Sequence, residues 1–304
     1  MNRPFVTPFW VVNRESQRGR PLFRDLLCLT KPGITFSNLL AVIAGFRLGS
    51  EGFLSWGGML EVCLGAGWVI AGSCALNHAV DRDIDPLMER TRHRPIPRGS
   101  LSVQTAVGFG TLLLAAGLVW LFFAVNPLSA GLAGVGAVFY LVVYSMWLKR
   151  VSIWNTVVGG ISGAVPPVIG WTAAAGSLDA PAIVLFFLLF LWQPPHFYAL
   201  AMIRQRDYAN AGIPMLPVQK GSRVTRRHIF FFVSLLLPVS LMLHTMGEVT
   251  DAYAWIAIGL GILYGWWSAR GLWGPEDPGW TRKMFRYSLV YLTVLLSAMM
   301  AFAT

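Results

Sequence analysis

Charge is what this sequence has least of. Only 12% of its 304 residues are Asp, Glu, Lys or Arg, against 55% hydrophobic residues, and the mean hydropathy is +0.58. A soluble domain carries about 25% charged residues, so a chain this poor in charge cannot cover a water-facing surface. Disorder is excluded by the same numbers, because it needs low hydrophobicity and high charge. Acidic residues are scarcer than basic ones, 14 against 24. In a soluble protein that excess would suggest nucleic acid; here the placement of the charges accounts for it, and no nucleic-acid partner is expected. Cysteine is nearly absent. Cys28, Cys63 and Cys74 are odd in number and widely spaced, which excludes a disulfide framework or a zinc pattern and leaves buried free thiols. The first thirty positions carry Arg3, Arg14, Glu15, Arg18, Arg20, Arg24 and Asp25, without an apolar core followed by a small-residue cleavage site, so no cleavable signal is expected. Repeats and low-complexity tracts are missing as well.

What the sequence does have is long apolar runs. A spanning helix needs roughly 20 mostly apolar residues. Nine such segments are expected, near 33–50, 58–78, 103–124, 128–147, 153–174, 181–202, 229–246, 252–271 and 285–303. The fold class is therefore all-α, a polytopic membrane protein with nine transmembrane helices. Residues 1–31 are read as a cytoplasmic tail and 32–304 as one transmembrane domain. Pro166-Pro167 in the fifth segment and Pro194-Pro195 in the sixth predict a kink and a break, whose freed backbone groups need protein or water partners.

The charges test this count. All but one of the 24 Lys and Arg residues fall in the N-terminal tail and the even-numbered connections; Arg47 alone lies in an odd one. The positive-inside rule then places the N-terminus in the cytoplasm and, after nine spans, Thr304 outside. Any chemistry is expected at the cytoplasmic mouth, where the long charged connections lie.

The strongest chemical signal is Asn77, Asp81 and Asp85. A four-residue step turns about 400° on an α-helix, so the three project from one face, each about 6 Å further along the axis. That spacing suits a divalent ion such as Mg²⁺, which is commonly shared between one or two carboxylates and a substrate phosphate. Asp81 and Asp85 are like charges one turn apart, at a helix C-terminus, near a membrane boundary. A bound cation relieves all three costs, whereas a solvated helix end paired with Arg82, Arg90 or Arg92 relieves them only in part. Asp83 lies off the stripe and is assigned that simpler pairing role. Pro86 is expected to end the helix. Arg90, Arg92, Arg94 and Arg98 follow at once. Beside a metal-type acidic stripe they suit the outer oxygens of a polyphosphate; alone they would read as a lipid-phosphate-binding loop.

A second group surrounds His196, in the sixth segment after Pro194-Pro195 and among Trp192, Phe197 and Tyr198. A lone histidine is usually packed and hydrogen-bonded, but an ionisable group inside a membrane is a site candidate. This one could contact a flat aromatic substrate, ligate iron or move a proton. Arg204 and Asp207 open the sixth connection. Tyr140, Tyr144, Lys149, Arg150 and Asn155 lie at the cytoplasmic ends of the fourth and fifth segments. Lys149 and Arg150 read either as snorkelling anchors or as phosphate contacts.

These strings resemble the UbiA superfamily of intramembrane prenyltransferases. The Asn-x-x-x-Asp-x-x-x-Asp stripe matches its first motif. LTKPGITFSN at 29–38, DRDIDPLMERT at 81–91, WLKR at 147–150, GAVPPVIGW at 163–171, WQPPHFYALA at 192–201 and DYANAGIPMLP at 207–217 resemble its haem-farnesylating branch. The resemblance implies nine helices around a central cavity open to lipid, and Mg²⁺-dependent loss of diphosphate from farnesyl diphosphate. Asn77, Asp81 and Asp85 then hold metal and diphosphate. Arg90 and Arg94, with Lys149, Arg204 and Asp207, contact the diphosphate. His196, Tyr144 and Asn155 face the haem or prenyl cavity. A vinyl group of haem b takes the farnesyl group, water completes a hydroxyethylfarnesyl side chain, and the product passes to haem-handling or terminal-oxidase proteins. The setting implied is a bacterial inner (cytoplasmic) membrane. Two departures stand out: Asp207 is followed four residues later by Ala211, so a second carboxylate pair is missing, and the usual Asn-Asn pair is Asn77-His78. A relative that prenylates an aromatic acid such as 4-hydroxybenzoate shares the stripe but not the His196 region. An ion-coupled transporter would place its charges near the membrane midplane.

Overall fold

The computed structural model describes residues 22–304 apart from positions 51 and 53. The arginines at 3, 14, 18 and 20, and Glu51, lie outside the described residues. Within them the chain is helical, with a single isolated β-bridge between Val249 and Ala303.

A short helix α1 (Leu22–Leu29) precedes α2 (Pro32–Leu48), bent from it by 49°. The stretch read as a tail therefore ends in a helix, and that helix is fastened: Asp25 pairs with Arg98 across the charged second connection. Then come α3 (Trp56–Val80), α4 (Val103–Val125), α5 (Pro127–Val151), α6 (Asn155–Ala175), α7 (Ala180–Ile203), a six-residue α8 (Gln205–Asn210), α9 (Leu216–Thr245), α10 (Asp251–Trp273) and α11 (Pro278–Ala301). By length and composition seven of these can cross a membrane, or eight if the bent pair α1–α2 counts as one span. The protein is a multi-pass membrane protein. Helix α10 is long enough but falls outside that set, because Tyr253, Trp255, Tyr264, Trp266 and Trp267 lower its mean hydropathy; of these, Tyr253 and Tyr264 are buried and Trp255 and Trp266 face outward. Lipid-facing character shows in the large apolar side chains left on the outside, among them Phe36, Leu112, Phe123 and Trp255.

Two sequence expectations need correction. Helix α7 runs unbroken through Pro194-Pro195, against the break expected there, and α6 is likewise one continuous helix through Pro166-Pro167. Packing on both sides holds them, and Gln193 ties α7 to α6 by donating Nε2–H to the carbonyl oxygen of Gly160 (2.8 Å) and back to that of Leu189 (3.2 Å). Helix α9 begins at Leu216, thirteen residues before the expected apolar start, and bends at Gly221, whose φ of 76° only glycine adopts cheaply. Its basic first turns extend past the apolar span, and Arg226 donates to the carbonyls of Gly274 (2.8 Å) and Pro275 (3.1 Å). Residues 139–148 of α5 wind as a π-helix.

Helices α2 and α6 cross closely because glycines meet there. A Cβ on Gly45 would lie 1.9 Å from the Pro167 carbonyl oxygen, and one on Gly170 would lie 1.9 Å from that of Val42. Small residues that let backbones approach are the usual device of membrane helix packing. Gly170→Ala is therefore expected to destabilise the fold by about 1–3 kcal/mol, read as a lower melting temperature in detergent. An unchanged melting temperature would show that the crossing is loose.

The charge alternation becomes two distinct ends of the bundle. At one end lie Lys31, residues 77–98, Lys149, Arg150 and the 204–227 segment, joined by the contacts described below. At the other, Arg47 donates to the Ala303 carbonyl (3.4 Å), and Thr250 N–H donates to that of Phe302.

Candidate active site

Helix α3 stops at Val80, earlier than Pro86 would suggest. Asp81 is its C-cap, and Asp85 opens a short 3₁₀ turn, Asp85–Leu87. The stripe survives this ending. Asp81 N–H donates to the Asn77 carbonyl and Asp85 N–H to the Asp81 carbonyl, both at 2.9 Å, so the α-type spacing continues through the break. Thr91 locks the turn by donating its hydroxyl to the Asp85 carbonyl (2.7 Å). Asn77, Asp81 and Asp85 are all buried, at 2%, 1% and 0% exposure.

Buried carboxylates need partners, and each has a cation. Lys149 Nζ lies 2.6 Å from Asp81 Oδ2. Arg94 Nη1 lies 2.9 and 3.0 Å from the two oxygens of Asp85, while its Nη2 and Nε have no partner among the described residues. Lys149 is itself buried; of its two sequence readings, the snorkelling anchor gives way to the inward contact. Arg150 binds Asp83 in a fork (2.6 and 2.8 Å) at the protein surface, and these hydrogen bonds hold the Asp83 carboxyl down at about 2. Asp83 thus has the pairing role assigned to it.

The π winding of α5 explains how Lys149 reaches Asp81. Bonding of the i→i+5 type brings residues four or five apart onto one face, here Tyr140, Tyr144, Ser145 and Lys149. Ser145 donates to the Tyr140 carbonyl (2.7 Å) and accepts from Asn77 Nδ2 (2.9 Å). Tyr140 and Tyr144 stack at 6.1 Å, and the Tyr144 ring fills the space beside Gly159.

Lys31, which sequence reasoning missed as a site residue, completes the group. Its Nζ lies 2.5 Å from Asn77 Oδ1 and 3.3 Å from the Tyr140 hydroxyl. It is the one non-glycine residue with positive φ among those described (47°). The only sequence signal was a Lys-Pro step at the mouth of the first span. Tyr208 was missed too. Burial raises its pKa, and the Arg90 guanidinium near its hydroxyl draws it back down. An apolar cluster of Ile84, Met88, Ala201, Ala211, Ile213 and Met215 clamps the second connection to the sixth, which brings Arg90 and Tyr208 together.

Other expected site residues lie apart. Arg204 is exposed and Asp207 half-buried, without a recorded bond to Asp81 or Asp85. Asn155 is fully buried, its amide nitrogen without a partner. His196 packs between Trp192 (4.8 Å) and Phe285 (4.9 Å) and meets Ser288 at 2.8 Å, away from the acidic stripe. An open cavity of about 430 Å³ at the opposite end is lined by Ser50, Ser55, Glu61 and Ala173; none of the cations just described lines it, and it does not suit an anionic substrate.

Among the described residues no three His, Cys, Asp or Glu side chains form a ready-made metal cage. The donor set nevertheless fits a hard cation shared with a substrate. Asp81 Oδ1 is buried without a partner among the described residues, an oxygen acceptor left open on the same stripe as Asp85. Mg²⁺ typically takes one or two carboxylates and completes its shell with phosphate and water.

Comparison with known proteins adds to this geometry. The profile of the UbiA prenyltransferase family matches residues 38–290. A protoheme IX farnesyltransferase of Pseudomonas syringae pv. tomato is 42% identical over 278 residues, covering 91% of this chain and 94% of its own. One of Alkalihalophilus pseudofirmus is 45% identical over 285 residues, covering 91% and 89%. Among solved structures, a digeranylgeranylglyceryl phosphate synthase superposes with TM-score 0.77 at 20% identity, covering 92% of this chain and 97% of its own. A UbiA homologue of Archaeoglobus fulgidus bound to DMAPP and Mg²⁺ gives 0.68 at 19%, covering 91% and 99%. At that identity these two structures establish the likeness of fold.

Proposed function

This chain belongs to the UbiA prenyltransferase family, and from that premise we propose that it transfers the farnesyl group of farnesyl diphosphate to a vinyl group of haem b. The C–O bond to diphosphate breaks and its electron pair leaves with the diphosphate. The freed allylic carbon bonds to the vinyl carbon. Water adds to the carbon next to the porphyrin and loses a proton, giving the hydroxyethylfarnesyl side chain of haem O. Relatives with the same 91% coverage are farnesyltransferases of protoheme IX by name.

The observation that carries the reading is the buried acidic stripe with cations closing around it. Asn77, Asp81 and Asp85 would hold Mg²⁺, with the open Asp81 Oδ1 as first donor. Bound there, the ion would supply positive charge to the diphosphate oxygens as the C–O bond breaks. Lys149, Arg94 and Arg90 supply further cationic donors around the same place, where low dielectric strengthens them. Arg94 keeps Asp85 in position through Nη1 and has Nη2 and Nε left for phosphate oxygens. Lys31 fixes the Asn77 amide. Tyr140 and Tyr144 place two aromatic faces beside the cations, suited to an allylic cation. Arg204 and Asp207, farther out, suit guidance of the diphosphate head. Asn155, fully buried, and His196 are the residues we assign to the side of the prenyl chain and haem.

We read the architecture as nine spans, with α1–α2 as the first and the Trp- and Tyr-rich α10 as the eighth. This count keeps every basic connection on one side. The positive-inside rule then supports a bacterial cytoplasmic membrane, an N-terminus and active site on the cytoplasmic side, and the C-terminus outside. Haem O would pass onward to oxidase-assembly proteins.

The direct test incubates membranes containing the protein with farnesyl diphosphate, haem b and Mg²⁺. A haem product heavier by one farnesyl group and one water is expected by mass spectrometry. Prenylated 4-hydroxybenzoate in its place would overturn the haem assignment. Arg90→Ala is expected to raise KM for farnesyl diphosphate roughly 10-fold or more, in line with a lost charged hydrogen bond, with less effect on KM for haem. Equal changes for both substrates would make Arg90 a structural residue of the loop.

A further inference from the structure

His196 meets α11 at Ser288 and Phe285. Its Nδ1 lies 2.8 Å from Ser288 Oγ, and Trp192, one turn earlier on α7, donates its indole N–H to the Ser288 carbonyl (2.7 Å). The Ser288 hydroxyl also lies 2.7 Å from the Phe285 carbonyl. The hydroxyl has one proton and two close acceptors. The Tyr264 hydroxyl beside it, otherwise unpartnered among the described residues, can donate to the Ser288 oxygen, which leaves that proton for one of the two. If it donates to Phe285, His196 must carry its proton on Nδ1 and donate it to Ser288, and both protons are satisfied. If it donates instead to Nδ1, the imidazole proton moves to Nε2, which has no partner among the described residues. An unpartnered N–H donor in apolar surroundings costs more than a bare acceptor lone pair. The first arrangement wins. Trp192 and Phe285 stack on the two faces of the ring, so rotation cannot exchange the nitrogens. The Nε2 edge is not among the sealed orphan atoms of the protein.

We propose that Ser288 is a positioning residue that fixes the tautomer of His196, so that Nε2 presents a permanent lone pair to the iron of the haem substrate. This rests on the reading of haem b as the acceptor. A relay of Nδ1–H to hydroxyl to carbonyl is the arrangement that orients a ligating imidazole and raises its basicity; removing such a partner lowers metal affinity roughly 10- to 100-fold. Trp192, held by the same residue, would pack its edge against the macrocycle.

The test titrates ferric haem b into the purified full-length protein without farnesyl diphosphate and follows the Soret band. Wild type is expected to show a saturable histidine-ligated spectrum, and His196→Ala to lose it. Persistence of that spectrum in His196→Ala would overturn the ligation reading itself. If His196→Ala loses the spectrum, Ser288 decides the rest. Ser288→Ala is expected to weaken haem binding at least ~10-fold, and Ser288→Thr, which keeps the hydroxyl, to restore it. Wild-type affinity in Ser288→Ala, or equal loss in Ser288→Thr, overturns the positioning role while leaving His196 as ligand. Nitrogen NMR of histidine-labelled protein without haem gives a second reading, assigned by difference with His196→Ala. A protonated Nδ1 is expected in wild type and a shift toward protonated Nε2 in Ser288→Ala; a protonated Nε2 in wild type overturns the proposal.

Discussion

Replacing Asp81 with Asn is expected to lower kcat/KM by at least about 10³, more than loss of a single oxyanion-type donor usually costs. The carboxylate has two tasks in one place. Oδ2 balances Lys149 at 2.6 Å, and Oδ1, buried and open, is the acceptor best placed for a divalent ion. An amide keeps the shape but supplies no charge for either. Stability should fall as well, because removing one partner of a buried ion pair leaves the other uncompensated, typically at about 3–5 kcal/mol. The two effects separate in a double variant. Asp81→Asn with Lys149→Met removes both charges, so the melting temperature should recover while turnover stays lost. Turnover near the wild-type level in the single variant would remove Asp81 from the site. Recovery of turnover with stability in the double variant would mean that the pair serves only the fold.

Arg94→Ala should have the second largest effect. The guanidinium spends only Nη1 on Asp85, so its loss leaves a fully buried carboxylate unpaired and removes the two nitrogens proposed above for the diphosphate oxygens. We expect a fall in kcat of about 10²–10³ together with a rise in KM for farnesyl diphosphate. Arg94→Lys should not rescue it. An ammonium can balance Asp85, but it lacks the planar fork that binds a carboxylate and a phosphate at once. The check is steady-state kinetics of both variants with each substrate varied in turn, beside thermal melts. Full activity in Arg94→Lys would reduce the role of Arg94 to simple charge balance.

Much of the site was legible along the chain because its spacing is local. Asn77, Asp81 and Asp85 stand four apart, and the i→i+4 bonds that align them persist although the helix formally ends at Val80. The expectation that Pro86 ends the helix misjudged the end of α3, yet the stripe came out the same, since one α-type turn suffices. Lys149 was harder. A long cationic side chain at a helix end can reach outward to headgroups or inward to a carboxylate, and both choices look alike in sequence. The π winding of residues 139–148 and the approach of α5 to α3 decide for the inward one. Lys31 and Tyr208 were invisible for a similar reason: their partners lie 46 residues away for Lys31 and in a different connection for Tyr208. The proline pair in α7 misled the reading in the other direction, since breakage is a local tendency that neighbouring helices here suppress.

By itself, then, the order of residues determined that the chain folds into long apolar helices, which of their ends carry positive charge, and that two carboxylates and an amide share a face. These follow from solvation and from the helical repeat, which act over a few neighbours. Only the tertiary structure decided which cation meets which acid, that Asp81 keeps one oxygen open, and that His196 is held by a serine 92 residues further on. Those outcomes depend on distances between helices far apart in the chain, set where glycines on α2 and α6 let backbones touch.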